Sequence, residues 1–170
     1  GCEKLLARLD DLQRRNPDAE VCIISGGEFA CPVRGDGVGG RNSETALRLA
    51  MTVDKDRYGE FVALCAGTDG IDGNSTAAGA IADGRTMGRA RAMFREPSHF
   101  LDNSDSASLF IALEDAIEAG LTGTNVRDCE YFALHLQAGA NRVVCFEAAV
   151  RGRRNPRVEE VRRLRGREAH

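Results

Sequence analysis

Tryptophan is absent, and aromatic residues make up only 5% of the chain. A core without large rings has to be built from Ala, Leu, Val and Ile, the usual stock of layered helix-and-sheet domains. No apolar run approaches the roughly 18 residues of a membrane span, so no membrane partner is expected. No secretory or transit segment stands at the start. The chain opens on Gly1 rather than Met, as expected of a processed or partial polypeptide. Six cysteines are present and none forms a CxxC pair, so the spacing of a zinc or redox motif is missing. Cys22, Cys65, Cys129 and Cys145 lie in apolar runs and read as small core hydrophobes. Unpaired thiols predict a reducing, cytoplasmic setting. There is no G-x-S-x-G elbow and no G-x-x-x-x-G-K-[ST] loop, which disfavours a hydrolase triad and an ordinary P-loop nucleotidase. His99 and His135 have no partner at catalytic spacing and read as a surface and a strand residue.

What remains is a chain of 170 residues, 42% hydrophobic, long enough to bury its own core. Net charge is -3, unevenly spread. Residues 138–170 hold nine Arg and four Glu, a balance of +5, which leaves -8 for the first 137 residues. No nucleic-acid-binding motif accompanies the basic tail, so nucleic acid is not an expected partner. Periodicity predicts a helix over residues 3–15 and a short buried strand over Val21 to Ile24. A second strand is expected from Phe29 to Val33, and a helix around Ala46 to Val53. Phe61 to Ala66 reads as another buried strand. Helices are expected over Thr76 to Ile81, with Ser75 as cap, and over Thr86 to Phe94. A turn or helical segment follows Pro97. Ala107 to Ala119 reads as an amphipathic helix closed by Gly120. Strands near Tyr131 to Leu136 and Val143 to Val150, then a helix over Val158 to Leu164, complete the pattern. Alternating strands and helices give an α/β domain, with a sheet that is mixed rather than purely parallel.

Three loops could carry chemistry at the rim of such a sheet. The first joins Ser25-Gly26-Gly27-Glu28 to the glycine-dense stretch Gly35 to Glu44. Glycines admit a close backbone approach, and a following helix N-terminus offers amides to an anion. Arg41 stands at that helix start, where a cation opposes the helix dipole unless an anion lies nearby. A hairpin turn with a solvated arginine accounts for the pattern equally well. The second loop is Gly67-Thr68-Asp69-Gly70-Ile71-Asp72-Gly73. Its two carboxylates could hold Mg²⁺ with nucleotide phosphates, could orient or deprotonate a hydroxyl, or could simply make an Asx turn. The third is Thr122-Gly123-Thr124-Asn125, followed by Asp128. Its polar groups suit a substrate and suit a plain turn nearly as well.

Taken in order, these blocks resemble the MOFRL family, the C-terminal domain of two-domain glycerate 2-kinases, some of which were named hydroxypyruvate reductases. The resemblance rests on Ser25-Gly26-Gly27-Glu28, on Gly39-Gly40-Arg41-Asn42 with Glu44, and on Gly67-Thr68-Asp69-Gly70 with Asp72-Gly73. It continues through Ala77-Ala78-Gly79-Ala80, Asp105-Ser106 with Phe110, and Thr122-Gly123-Thr124-Asn125-Val126 with Asp128. It implies a three-layer α/β/α sandwich with a mixed, mainly parallel sheet over residues 1–137 (motif blocks 21–137). Residues 138–170 would then be an Arg-rich extension carrying one strand and one helix.

The resemblance also implies an ATP-dependent glycerate kinase with its active site in a cleft against a larger, Rossmann-like N-terminal domain. Arg41 and Asp69 would be the catalytic pair. Gly39, Gly40, Asn42, Glu44, Thr68, Asp72, Thr124 and Asn125 would bind substrate or phosphate, and Asp69 with Asp72 would hold Mg²⁺. Expected partners are glycerate, ATP, the larger domain and a homo-oligomeric copy; alone, the chain is expected to be inactive. Ser43 stands where the family often has Gln, Thr76 where it often has an acidic residue, Ser104 where it usually has Asn, and Ala107 where it has an aromatic. A stand-alone, non-catalytic ligand-binding or interaction module is the alternative. A hydroxypyruvate reductase is a weaker one, because the glycine loop lacks the G-x-G-x-x-G arrangement of a dinucleotide site.

Overall fold

The computed structural model describes residues 2–27, 29–53, 61–94, 96–125, 128–134, 142–149 and 158–162, with side chains through residue 125. Helix α1 (Cys2–Arg15) turns Leu6, Leu9 and Leu12 inward at helical spacing. Strand β1 (Glu20–Gly27) follows, then α2 (Arg41–Thr52), β2 (Val62–Gly67) and β3 (Gly79–Asp83). Three shorter helices come next: α3 (Thr86–Met93), α4 (His99–Asp102) and α5 (Ser106–Ala112). The chain then adds β4 (Ala116–Ile117), β5 (Asp128–Leu134), β6 (Arg142–Ala149) and β7 (Val158–Arg162).

All seven strands form one sheet in the order β4-β3-β2-β5-β1-β6-β7. The α/β class and the mixed sheet hold, but the sheet is mainly antiparallel rather than mainly parallel. Only β1 and β6 pair in parallel; the other five neighbouring pairs are antiparallel. The cause lies between residues 67 and 86. Within the run expected as a helix over Thr76 to Ile81, the last three residues instead open β3, which returns directly beside β2. Ser75 does not cap a helix: its hydroxyl accepts the Ala77 amide at 3.0 Å in a local turn. Small residues permit the tight return, and Gly79 lies so close to β2 that a Cβ there would meet the Cys65 carbonyl oxygen at 1.9 Å.

Other expectations change for equally local reasons. Phe29 to Val33 is not a strand. The helix expected to run to Ala119 stops at Ala112, because Glu114 takes a left-handed φ of 61°; Gly120 therefore closes no helix. Within the expected helix over Val158 to Leu164, Val158–Arg162 is strand β7, paired with β6. Strand β6 pairs with β1, so residues 142–149 form part of the same sheet.

One core joins α1, α2, α3 and α5 to a single sheet face carrying Val21, Ile23, Ala63, Cys65, Ala80 and Ala82. Alternate residues Cys22, Ile24, Val62 and Leu64 are half-buried and Ile81 is exposed. Among the described residues the helices thus form one layer, and the second helical layer of the expected sandwich is not among them. Phe61 and Phe110 are the largest fully buried side chains. No helix among the described residues is long and apolar enough to cross a membrane. Phe110→Ala is expected to destabilise the domain by about 3–5 kcal/mol, read as a lowered urea midpoint with an unchanged slope.

Candidate active site

The sheet gathers the three loops at one rim. Strands β1 and β2 are both antiparallel to β5, so their C-terminal ends and the start of β5 lie side by side. In register, Gly27 and Gly67 both face Asp128. The chain therefore leaves β1 into the first glycine loop, leaves β2 into the second, and enters β5 from the third, all within one neighbourhood.

The first loop is fastened from two sides. On one side, the Gly37 amide donates to the Asn103 carbonyl at 3.1 Å and the Val38 amide to Asp105 Oδ1 at 2.8 Å. On the other, Asn74 acts as a staple. Its Oδ1 accepts the Gly39 amide at 2.8 Å, its Nδ2 donates to the Gly37 carbonyl at 3.0 Å, and its own amide donates to Gly39 at 3.3 Å. The fit is close because side chains are missing where the loops cross. A Cβ on Gly40 would lie 2.4 Å from Asp72 Oδ1, and one on Gly73, at φ +63°, would lie 2.2 Å from the Gly39 carbonyl oxygen.

Helix α2 begins at this crossing. Its cap residue, Gly40, has no side chain to satisfy the free amides of the first turn. Asp72 does so from 30 residues away. Its Oδ1 accepts the Asn42 amide at 2.9 Å and Asn42 Nδ2 at 3.2 Å. Its Oδ2 accepts the Ser43 amide at 2.8 Å and Ser43 Oγ at 2.7 Å. Because Ser43 spends its proton on Asp72, the 2.9 Å contact between Ser43 and Ser106 has Ser106 as donor. The assignment of Asn42 is equally constrained: Nδ2 must face the carboxylate, so Oδ1 points elsewhere. That oxygen is buried without a partner among the described residues, as is Ser25 Oγ, at a cost of about 1–3 kcal/mol each.

A cavity of about 530 Å³ opens over this crossing. Arg41, the first residue of α2, and Asp69, from the second loop, both line it, together with Gly39, Gly40, Asn42 and Asp72. Both charged side chains are half-buried. Asp69 Oδ1 accepts the Ile71 amide at 3.1 Å, the Asx turn anticipated for this loop. A second cavity of about 520 Å³ adjoins the first; Phe29, Cys31, Arg41 and Glu44 line both.

Asp72 is only 1% exposed, and both its oxygens are occupied by donors at the head of α2, which it caps. Among the described residues no three potential ligands gather into a metal site. Glu44 is buried and engaged: Oε1 accepts Arg48 Nε at 2.8 Å and Oε2 accepts the Cys31 thiol at 2.8 Å. It forms a partition between the cavities. Thr68, Thr124 and Asn125 do not line the cavity. The Thr122 hydroxyl ties the third loop to the Thr68 carbonyl at 2.5 Å, and the Thr122 amide donates to the Asp69 carbonyl at 3.1 Å. Thr122 thus braces the Asp69 loop. Asn74, Asp105 and Ser106 were missed as site-building residues. Asn74 carried a signal, as an Asn directly after Asp-Gly in a turn, but its partner loop is 35 residues away in sequence.

Comparison with known proteins came down on one family. The MOFRL family profile matches residues 21–128, more than half of the chain. The chain is 44% identical over 109 residues to the D-glycerate 2-kinase of Thermotoga maritima, covering 64% of this chain and 25% of that protein. It is 36% identical over 126 residues to a glycerate kinase of Danio rerio, covering 72% and 25% respectively. The crystal structure of the Thermotoga maritima glycerate kinase superposes with a TM-score of 0.63 at 38% identity, over 67% of this chain and 27% of that one. The chain thus spans about a quarter of the length of the curated relatives it matches.

Two outcomes follow from the local geometry. Burial, and then the hydrogen bond to Glu44, push the Cys31 thiol up to about 12. At pH 8.5 iodoacetamide should leave Cys31 unmodified in the folded protein, and Glu44→Gln should speed its alkylation, followed by peptide mass spectrometry. Ser104 holds a left-handed φ of 53° while its Oγ accepts the Arg34 amide at 3.0 Å. Asn tolerates that conformation better and keeps an acceptor, so Ser104→Asn should stabilise the fold by up to about 1 kcal/mol, visible as a raised thermal midpoint.

Proposed function

Given that the chain belongs to the MOFRL family, we propose that it forms one wall of the active site of an ATP-dependent glycerate kinase, facing a larger domain across a cleft. The observation that carries this reading is the shared cavity of Arg41 and Asp69 above the glycine crossing. A guanidinium fork matches the two oxygens of a carboxylate or the equatorial oxygens of a phosphoryl group. Arg41, which lines the cavity, is suited to either anion of the reaction, the glycerate carboxylate or the transferring phosphoryl. Asp69, half-buried on the facing loop, is suited to a hydroxyl of the bound acid.

The reaction needs little covalent help from the protein. The glycerate hydroxyl oxygen attacks the terminal phosphorus of ATP, a new O–P bond forms, and the bond to the ADP oxygen breaks. The hydroxyl proton passes to Asp69 and then to solvent. Catalysis of this kind is positioning together with neutralisation of the charge on the transferring group. Arg41 supplies charge, Asp69 orients the nucleophile, and the glycine backbone lets the ligand approach closely. The described side chains do not make a site for Mg²⁺, since Asp72 is consumed as a cap and Asp69 alone is left.

The test is ATP-dependent phosphorylation of glycerate by the complete polypeptide that carries this domain. Arg41→Ala should abolish turnover with the thermal midpoint nearly unchanged, and Asp69→Asn should lower kcat by about 10²–10⁴-fold. Wild-type turnover in Arg41→Ala would remove its assigned role. Glycerate binding without turnover in the complete polypeptide would favour a ligand-binding module, and hydride transfer to hydroxypyruvate a reductase.

A further inference from the structure

Asp72 lines the cavity but faces inward, with its carboxylate spent on α2. We propose that Asp72 is a positioning residue: it fills the anion-accepting end of α2 and so makes Arg41, the helix's first residue, the anion receptor of the cavity. The inference rests on the reading of Arg41 given above.

The N-terminus of a helix carries free amides and a partial positive charge. Left open, it would itself draw the anion of a ligand toward the backbone. In this chain the amides of Asn42 and Ser43 already point at a carboxylate of the protein. An incoming anion therefore meets a helix end that is already filled, and Arg41, the residue before those amides, lines the same cavity. The same carboxylate opposes the helix dipole, so a cation at the first helical position is no longer at odds with it.

The contact also sets where Arg41 stands. Gly40 offers no cap of its own, so the start of α2 is defined by a residue of the second loop. Space around the contact is closed: a Cβ at Gly40 or Gly73 would collide with the opposite loop. The Ser106 hydroxyl donates to Ser43, whose hydroxyl donates to Asp72, which holds the carboxylate from the α5 side. Asn42 gives its Nδ2 to Asp72 and leaves its own Oδ1 buried without a described partner. An unsatisfied acceptor is tolerated here while the carboxylate stays fully bonded, as expected if the placement of Arg41 depends on it.

The experiment compares Asp72→Asn, Arg41→Lys and the double variant in the complete polypeptide, by kcat/KM for glycerate phosphorylation. Asp72→Asn should lower it about 100-fold, the cost of misplacing a substrate-holding group by about an ångström. If Asp72 acts through Arg41, the double variant should fall within about threefold of the weaker single variant. Losses that multiply would overturn the inference. Should Asp72→Asn fail to fold, Ser43→Ala removes one donor and keeps the backbone bonds; it should cost about fivefold in wild type and nothing further in Arg41→Lys. If the wild-type polypeptide does not phosphorylate glycerate, the functional reading fails separately. The inference is then read from calorimetric binding of inorganic phosphate. Asp72→Asn and Arg41→Lys should weaken it alike, and wild-type binding by Asp72→Asn would refute it.

Discussion

A single carboxylate at the head of a helix holds this site together. Asp72 belongs to the loop after β2, and the amides it accepts belong to the helix after β1. Helix α2 is also the most deeply seated of the helices: Ala46, Leu47, Leu49 and Ala50 are all buried in the common core. The glycine crossing is therefore coupled to the core. Lifting either loop would uncap the helix, and uncapping it would expose buried amides that have no other acceptor. Loops rich in glycine lose much conformational entropy on ordering. Charge-assisted hydrogen bonds, roughly twice as strong as neutral ones, are a fitting means of offsetting that loss.

The charged residues of the site divide by how fully they are satisfied. Asp72 and Glu44 are buried and have donors on both oxygens. Asp69 is half-buried and gives one oxygen to a local turn. A group saturated by its own protein gains nothing from a ligand, because any new bond must first break an old one. Glu44, Asn42 and Asp72 therefore act as framework of the cavity that Arg41 and Asp69 also line. Residue type and spacing could not make this distinction, since all five stand in the same two motifs.

Much of the fold was legible, and the failures share a cause. Helices α1 and α2 followed from apolar spacing, because each buries one clear face, and strands β1 and β2 from short apolar runs. Residues 76–81 misled because alanine and glycine fit a helix or a strand equally, and only the neighbouring Cys65 carbonyl decides. Residues 113–119 continued a helical pattern, but Glu114 breaks it with a backbone conformation that its side chain does not announce. Val158 to Arg162 has helical spacing and becomes a strand because β6 offers it an edge. In the candidate site, the expectation that Arg41 and Asp69 share one cavity agrees with the lining observed. The contacts of Asn74, Asp105 and Ser106 were not anticipated, since each is made to a partner distant in sequence: a backbone amide for Asn74 and Asp105, the Ser43 hydroxyl for Ser106.

The mainly antiparallel sheet changes how such a site is built without changing where it lies. In a parallel sheet, ligand loops collect at the carboxyl ends of the strands because every strand points the same way. Here β5 runs against both β1 and β2 and stands between them. Reversal of the central strand brings its incoming loop to the rim where its neighbours' outgoing loops emerge. The Thr122 contacts with Thr68 and Asp69 follow from that geometry. The third loop braces the second because β5 begins where β2 ends. A site of two functional loops and one supporting loop is what one antiparallel strand between two co-directed ones provides.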